Sequence, residues 1–541
     1  LTLKPDRTTH MRALQSSTID QKVDRWDNYQ FEEKQDIEWV GVTIFHVETR
    51  VEEPCNMCHE EVLTISQDQY WECEITLSHQ DIQQLQRTEA DATAFLVSSA
   101  KKQRAEVKLK DLTDEQRREF AKAKEKEVDQ WLSTGTVQAI LRDRIPAANI
   151  LRSRWILTWK DVDEIEAKEI GKQRKAKARL VILGYEDPNL TEIPRDSPTL
   201  QKESRSLILQ YCASQKWHIR SFDIKTAFLR GSRRDDRVLG VDPPDELRKK
   251  LGLKPNEICE LLKSAYGLVN APFLWYQELR ETLLTLGFSI SPLDPCLFTL
   301  QGQNGVVRGH IGIHVDDGLC CGDAIFDKAI PDLEKRFPFG TKRDGKFTFT
   351  GICIHQEQNG KIHLDQRDYI NNIAPINIPR ERRKGEDSVV TESERQELRG
   401  LIGSLQYAAS NTRPDISSRL SHLQSKINCA VIKDLLEGNR LLSDAKRHDN
   451  VKITYESIPI GDISFLAYSD ASFATREKQQ SQKGGLILAS HKDVCSQKPA
   501  ISSPIVWYSK KIDRVVASTL AAETYALSHA VDLLDWIRLS W

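Results

Sequence analysis

The sequence has no unbroken apolar run long enough to cross a bilayer. Its opening, LTLKPDRTTH, is not a signal peptide and has no initiator Met, so a chain cut from a longer product is expected. Neither sign of charge dominates: 77 Lys and Arg stand against 79 Asp and Glu, a net charge of −2. That balance excludes a protein that coats a polyanion uniformly and directs attention to local charge. Regular cysteine spacing is missing too. The 11 cysteines, an odd number, fit a reducing compartment rather than a disulfide scaffold. What remains is a chain of 541 residues, 29% charged and 39% apolar. It is expected to be soluble and globular, too long for one core, and divided into about two to four domains.

The stretch His314-Val315-Asp316-Asp317-Gly318 organises the rest. Before it, Ile311, Ile313 and Val315 alternate with Gly312 and His314, the period of a strand with one buried face. Asp-Gly is a strong hairpin-turn pair, which predicts Asp316 and Asp317 side by side at a hairpin tip. Carboxylates ~4 Å apart repel by about 4 kcal/mol at an effective dielectric near 20, so their juxtaposition calls for a cation.

Residues 1 to about 110 are polar, of mixed charge, and read as irregular. Within them Cys55, Cys58 and His59 match half of a zinc site or a haem-attachment spacing, with Cys73 and His79 as further ligands lacking the usual spacing. From Asp111 the pattern sharpens. Thr113 and Gln116 make a capping box ahead of a helix over about 114–133 that stops at Gly135. Trp155–Trp159 and Arg179–Leu183 read as strands. A basic cluster runs into the second of them, formed by Lys168, Lys172, Arg174, Lys175, Lys177 and Arg179 with only Glu166 and Glu169 nearby. It is either a solvated hairpin tip or a site for a triphosphate or nucleic-acid backbone. A helix is predicted after Ser197-Pro198 and a strand over 218–224 that brings Asp223 to its end, with Phe228 shortly beyond. Asn270 precedes a helix that starts near Pro272 and carries Tyr276, Leu279, Leu283 and Leu286 as a core stripe. Residues 395–450 are rich in helix formers. Three strands, Phe465–Asp470, Gly485–Ala489 and Pro504–Tyr508, precede a last helix with Leu520, Leu527, Val531 and Leu534 on one face and Glu523 among them.

Six ordered motifs carry a resemblance: FDIKTAFLRG (222–231), SAYGLVNAPFLWY (264–276), HVDDG (314–318), LIGSLQYAASNTRPDIS (401–417), AYSDASFA (467–474) and WYSKK with STLAAETYAL (507–527). Over about 115–541 the chain resembles the pol polyprotein of copia-type LTR retrotransposons, a reverse transcriptase joined to the start of an RNase H domain. The resemblance implies an α+β fold, a right-hand polymerase of fingers, palm and thumb followed by a partial RNase H-like α/β domain. Its expected divisions are an N-terminal region of unassigned function (1–110), fingers and palm (111–394), thumb and connection (395–458) and the RNase H-like part (459–541).

It also implies residue roles. Asp223, Asp316 and Asp317 match the palm carboxylates that bind two Mg2+ ions, or Mn2+, for nucleotidyl transfer. Lys177 and Arg179 match the fingers residues that hold a dNTP triphosphate. Phe228 matches the ring that closes on the sugar 2′ position, and Asn270 stands where the family has Gln. His314 replaces the family's Tyr and Phe273 its Arg, the latter removing a guanidinium fork that no phenyl ring replaces. Asp470 and Glu523 match the first two RNase H carboxylates, and a metal at Asp470 would be the partner that Glu523 needs on an apolar face. Because the sequence given stops at Trp541, RNase H cleavage is expected to be absent from it. The expected partners are an RNA template, a DNA primer, their hybrid, dNTP and other parts of the same polyprotein, with no membrane. The expected place is a cytoplasmic virus-like particle with nuclear entry. A second class of function, a decayed or co-opted retroelement protein that binds nucleic acid without catalysis, is the alternative.

Overall fold

The computed structural model describes residues 46–50, 60–67, 71–78, 106–161, 172–232, 237–476 and 480–541. The Cys55/Cys58/His59 motif lies outside these residues, as does Lys168 of the basic cluster. Part of the N-terminal region expected to be irregular is a three-stranded antiparallel sheet of His46–Arg50, Glu60–Gln67 and Trp71–Ser78. The alternation of Trp71, Cys73, Ile75 and Leu77 with Glu72, Glu74, Thr76 and Ser78 is the period-two signal which that reading passed over.

The chain divides into two compact units, each discontinuous in sequence: Leu1–Arg195 with Phe228–Leu274, and Asp196–Ala227 with Trp275–Trp541. A linear list of domain boundaries cannot express this interleaving. The first unit is built on a five-stranded sheet in the order Val137–Leu141, Glu257–Leu261, Gly240–Asp242, Ile150–Asp161, Arg174–Ile182. The helix Asp114–Ser133 packs on its last strand. Its predicted capping box is present, with Thr113 N donating to Gln116 Oε1 at 3.0 Å and Gln116 N to Thr113 Oγ1 at 3.3 Å.

The second unit centres on a six-stranded sheet in the order Phe288–Ile290, Leu297–Gln301, Val307–His314, Asp317–Gly322, Arg220–Ile224, Phe339–Asp344. The helix Lys202–Gln215 covers it, burying Leu207, Ile208, Leu209 and Cys212. One apolar core continues from that helix through the four-stranded sheet, which supplies Phe347, Ile354 and Leu364. It ends in the C-terminal sheet, which supplies Ile487, Ile505 and Trp507. The helices Glu392–Asn411, Ser417–Ser425 and Ile432–Arg447 enclose a separate core around Leu398, Leu405 and Leu435. The architecture is thus the mixed α+β one that the sequence implies.

Candidate active site

Asp223 and Asp317 face each other across two neighbouring antiparallel strands, Arg220–Ile224 and Asp317–Gly322, as direct register partners. His314 pairs with Asp317, which leaves Val315 and Asp316 as a two-residue turn. The turn therefore lies one step earlier than Asp-Gly chemistry predicted, and Asp317 opens the second strand instead of sharing the tip. Pairing of Asp317 with Asp223 on its other side draws it into the ladder, and tertiary pairing overrides the local turn preference. The positive φ falls on Val315, at 62°. Two hydrogen bonds hold this turn: Trp275 Nε1 donates to the Val315 carbonyl at 2.8 Å, and Ile224 N to the Asp316 carbonyl at 2.9 Å. Trp275 is fully buried, and its indole fixes the peptide that precedes Asp316.

Gly318 has a different reason from the one the sequence suggested. It lies inside a strand, and a Cβ there would enter the ring of Phe222. That ring stacks on Phe339 with centroids 4.1 Å apart and planes at 9°.

On its other side the Asp223 strand pairs with Phe339–Asp344, where the register jumps from Phe339↔Ile224 to Lys342↔Phe222. Gly340 and Thr341 therefore both oppose Asp223, which is a β-bulge. Thr341 N donates to Asp223 Oδ1, and a Cβ at Gly340 would collide with the same carboxylate. Asp223 and Asp317 are half-buried and Asp316 is exposed. Among the described residues no group of three or more His, Cys, Asp or Glu side chains is placed to hold a metal ion. Carboxylate oxygens are the donors that hard divalent cations take, so by chemistry the three acids fit Mg2+. By position, Asp223 is committed to Thr341, on the edge of its strand away from Asp317. His314, beside this group, is held below its usual pKa by burial and then by the Arg205 charge.

In the first unit, Arg174–Ile182 places Ala178, Leu180 and Ile182 in the core, and alternation sends Lys177 and Arg179 to the other face, half-buried and exposed respectively. The loop after Ser264 is pressed against this strand: Ile182 N donates to the Tyr266 carbonyl at 2.8 Å. Gly267, at φ +93°, is required there, since a Cβ would strike the Ile182 carbonyl. The result sets the Tyr266 ring 5.8 Å from the Arg179 guanidinium and edge-on to Phe228 at 5.6 Å. Arg179, Tyr266 and Phe228 thus form one array, of which sequence reasoning missed Tyr266. Asn270 is half-buried, and its backbone carbonyl accepts from Leu274 N at 2.9 Å to start the helix Ala271–Thr285. Lys172 of the basic cluster is less open than its sequence suggested. Lys172 pairs with Glu115 at 3.3 Å and with Glu119, acids that the long helix brings in.

Residues 146–377 match the family described as reverse transcriptase (RNA-dependent DNA polymerase). The chain is 31% identical over 403 residues to the retrovirus-related Pol polyprotein from transposon RE1 of Arabidopsis thaliana, covering 72% of this chain and 26% of that protein. Identity to the corresponding RE2 polyprotein of the same plant is 30%, with the same coverage. These matches support a copia-type retrotransposon Pol. The chain spans about a quarter, 26%, of the length of those relatives. The chain is also 26% identical to the putative transposon Ty5-1 protein of Saccharomyces cerevisiae, covering 54% of the chain and 94% of that protein. Among solved structures it is similar to a foamy viral protease-reverse transcriptase in complex with dsDNA, with a TM-score of 0.42 and 15% identity over 78% of this chain and 72% of that one.

In the C-terminal sheet, Asp470 lies on Ile463–Ser472 opposite Gly484, and is exposed. Ser469 and Gly485 share the other face with Tyr508, and His529 of the helix Thr519–Ser540 packs there, 4.7 Å from the Tyr508 ring. Strand alternation therefore turns Asp470 away from the face that this helix covers. The helix itself corrects the sequence reading. Its buried side is Ala522, Ala526, Ala530 and Ile537, while Leu520, Leu527 and Val531 are exposed at 77%, 56% and 45%. Small side chains let the helix lie close on the sheet, so spacing alone chose the wrong face. Glu523 is half-buried and does not sit among core leucines.

Proposed function

We propose that this chain is an RNA-directed DNA polymerase whose palm acids are Asp223, Asp316 and Asp317. The observation that carries the reading is the cross-strand pairing of Asp223 with Asp317, Asp316 being held on the adjoining turn, within a segment that matches the reverse transcriptase family. Two divalent cations, Mg2+ or Mn2+, would lower the pKa of a primer 3′-hydroxyl and neutralise the pyrophosphate leaving group when bound. Asp223, Asp316 and Asp317 would hold them, with Asp223 exchanging its bond from Thr341. Trp275 and Ile224 keep the Asp316 turn in place through their bonds to the Val315 and Asp316 carbonyls. In the first unit, Lys177 and Arg179 supply positive charge for a dNTP triphosphate, Tyr266 orients Arg179, and Phe228 excludes a 2′-hydroxyl by bulk. Asn270 is the polar residue next to this group that would face the sugar. The nucleic-acid partners are an RNA template, a DNA primer and their hybrid, and the other parts of the Pol polyprotein are further partners.

A second reading, nucleic-acid binding without catalysis, is favoured by the engagement of Asp223 with Thr341. Extension of a DNA primer on an RNA template with magnesium separates the two. The polymerase reading expects extension by the parental chain and its loss in Asp223→Asn and Asp316→Asn with hybrid binding retained. Binding of hybrid without any extension by the parental chain selects the second reading, and near-parental extension by either variant removes these acids from the site.

A further inference from the structure

The carboxylate of Glu127 has no part in the roles above, yet it is 6% exposed in the helix Asp114–Ser133. Its Oε1 accepts from Trp131 Nε1 at 3.3 Å and from Leu180 N at 3.4 Å. Burial raises its pKa, while those two bonds and then the charges of Arg179 and Lys177 pull it down, so both cations lie within electrostatic reach. A buried acid is costly to keep, and the question is what its bond to Leu180 accomplishes.

Arg174–Ile182 is the last strand of its sheet, so every second backbone N–H points away from the ladder. Leu180 and Ile182 are two such positions. Ile182 N is taken by the Tyr266 carbonyl, and Leu180 N by Glu127. The Leu180 N–H belongs to the peptide unit that leaves Arg179, so Glu127 fixes the plane of Arg179's own backbone. Tyr266 acts on the same strand twice, tying down the next outward N–H, that of Ile182, and placing its ring against the Arg179 guanidinium. Arg179 is thereby bracketed on a free sheet edge that would otherwise fray.

We propose that Glu127 is a positioning residue for Arg179: by accepting the Leu180 N–H it holds the edge strand so that the guanidinium is set for a nucleoside triphosphate. The inference rests on the reading of Arg179 as a triphosphate contact. What Glu127 supplies is an acceptor oxygen at one place, so glutamine should replace it and alanine should not.

The test is dNTP KM and kcat in primer extension, with dNTP Kd on the primer–template complex, for the full chain and its Arg179→Ala, Glu127→Ala, Glu127→Gln and double Ala variants. Glu127→Ala should raise KM and Kd about fivefold, the range of one net hydrogen bond, with kcat nearly unchanged. Glu127→Gln should stay within about twofold of the parental Kd, and the double variant should bind no worse than Arg179→Ala. Should Glu127→Ala fail to fold, Glu127→Asp, whose shorter side chain draws the acceptor away from Leu180, takes its place with the same expectation. Parental Kd in these variants while Arg179→Ala binds weakly overturns the inference and leaves the reading of Arg179 standing. Parental Kd in Arg179→Ala overturns both.

Discussion

Replacing Gly318 by Ala tests how tightly the acid-bearing strands are set. The new Cβ would fall inside the Phe222 ring, which is held against Phe339 at 4.1 Å and cannot retreat without losing that stack. Overpacking of this kind costs typically about 1–3 kcal/mol, and loss of an aromatic pair about 0.5–1.5 more. Relief of glycine's entropy disadvantage in a strand returns about 0.5–1 kcal/mol. At the middle of these ranges the net is about 2 kcal/mol, a roughly 30-fold rise in local opening at about 1.4 kcal/mol per decade. Phe222 precedes Asp223, and Gly318 follows Asp317, so the displaced residues are the sequence neighbours of the paired acids. The assay is native-state hydrogen exchange followed by mass spectrometry on peptides covering 217–226 and 311–322, because local opening is readable there without assuming two-state unfolding of a chain this long. Phe222→Leu in the Gly318→Ala background should recover part of the protection, since the smaller side chain vacates the space. Exchange of these amides within about threefold of the parental rate would refute the packing argument.

If the chain is the polymerase proposed above, Phe228→Ala should let it incorporate ribonucleotides, because the ring is proposed to exclude the 2′-hydroxyl by volume; unchanged dNTP-over-rNTP preference in single-nucleotide incorporation would refute the proposal. Glu394, bonded to Arg382 and to the Thr391 backbone at the start of the helix Glu392–Asn411, has its pKa lowered to about 2, chiefly by the Arg382 bond. A depressed carboxyl stabilises above its unfolded pKa of roughly 4.3, and that contribution is lost as pH falls through the folded value. Protection of this helix start should therefore be level above about pH 5 and decline towards pH 2, and Glu394→Gln should flatten the decline; an equal slope in the variant would disprove the linkage.

Much of the fold could be read in the chain because local signals agreed with tertiary ones. Thr113 and Gln116 announced the long helix, and the alternation in Ile463–Ser472 and Ser502–Lys511 announced strands that are present. The acids of the hairpin were legible as a pair, but not their placement. Asp-Gly is a local preference, whereas the turn at Val315 and Asp316 follows from pairing with a strand that lies about 90 residues earlier in the chain. Likewise the bond from Thr341 to Asp223 depends on a bulge that no period in the sequence marks. The last helix misled for a different reason: its leucines match helical spacing better than its alanines do, and hydrophobicity ranks leucine first when closeness of approach decides the face.

The apolar core that runs from Leu207 and Leu209 into Ile505 and Trp507 has a consequence for how this unit can come apart. The Trp507 indole also donates to the Ala409 carbonyl at 2.7 Å, at the end of a helix from the neighbouring core. Strands 463–511 are therefore not an appendage on an otherwise complete core. Their removal would strip the outer side of the Lys202–Gln215 helix and leave the Ala409 carbonyl only the longer bond from Ser417 Oγ, at 3.5 Å. The melting of the C-terminal sheet should therefore be coupled to the loosening of the helix that backs the acid-bearing strands. A protease or a rise in temperature should meet them as a single object.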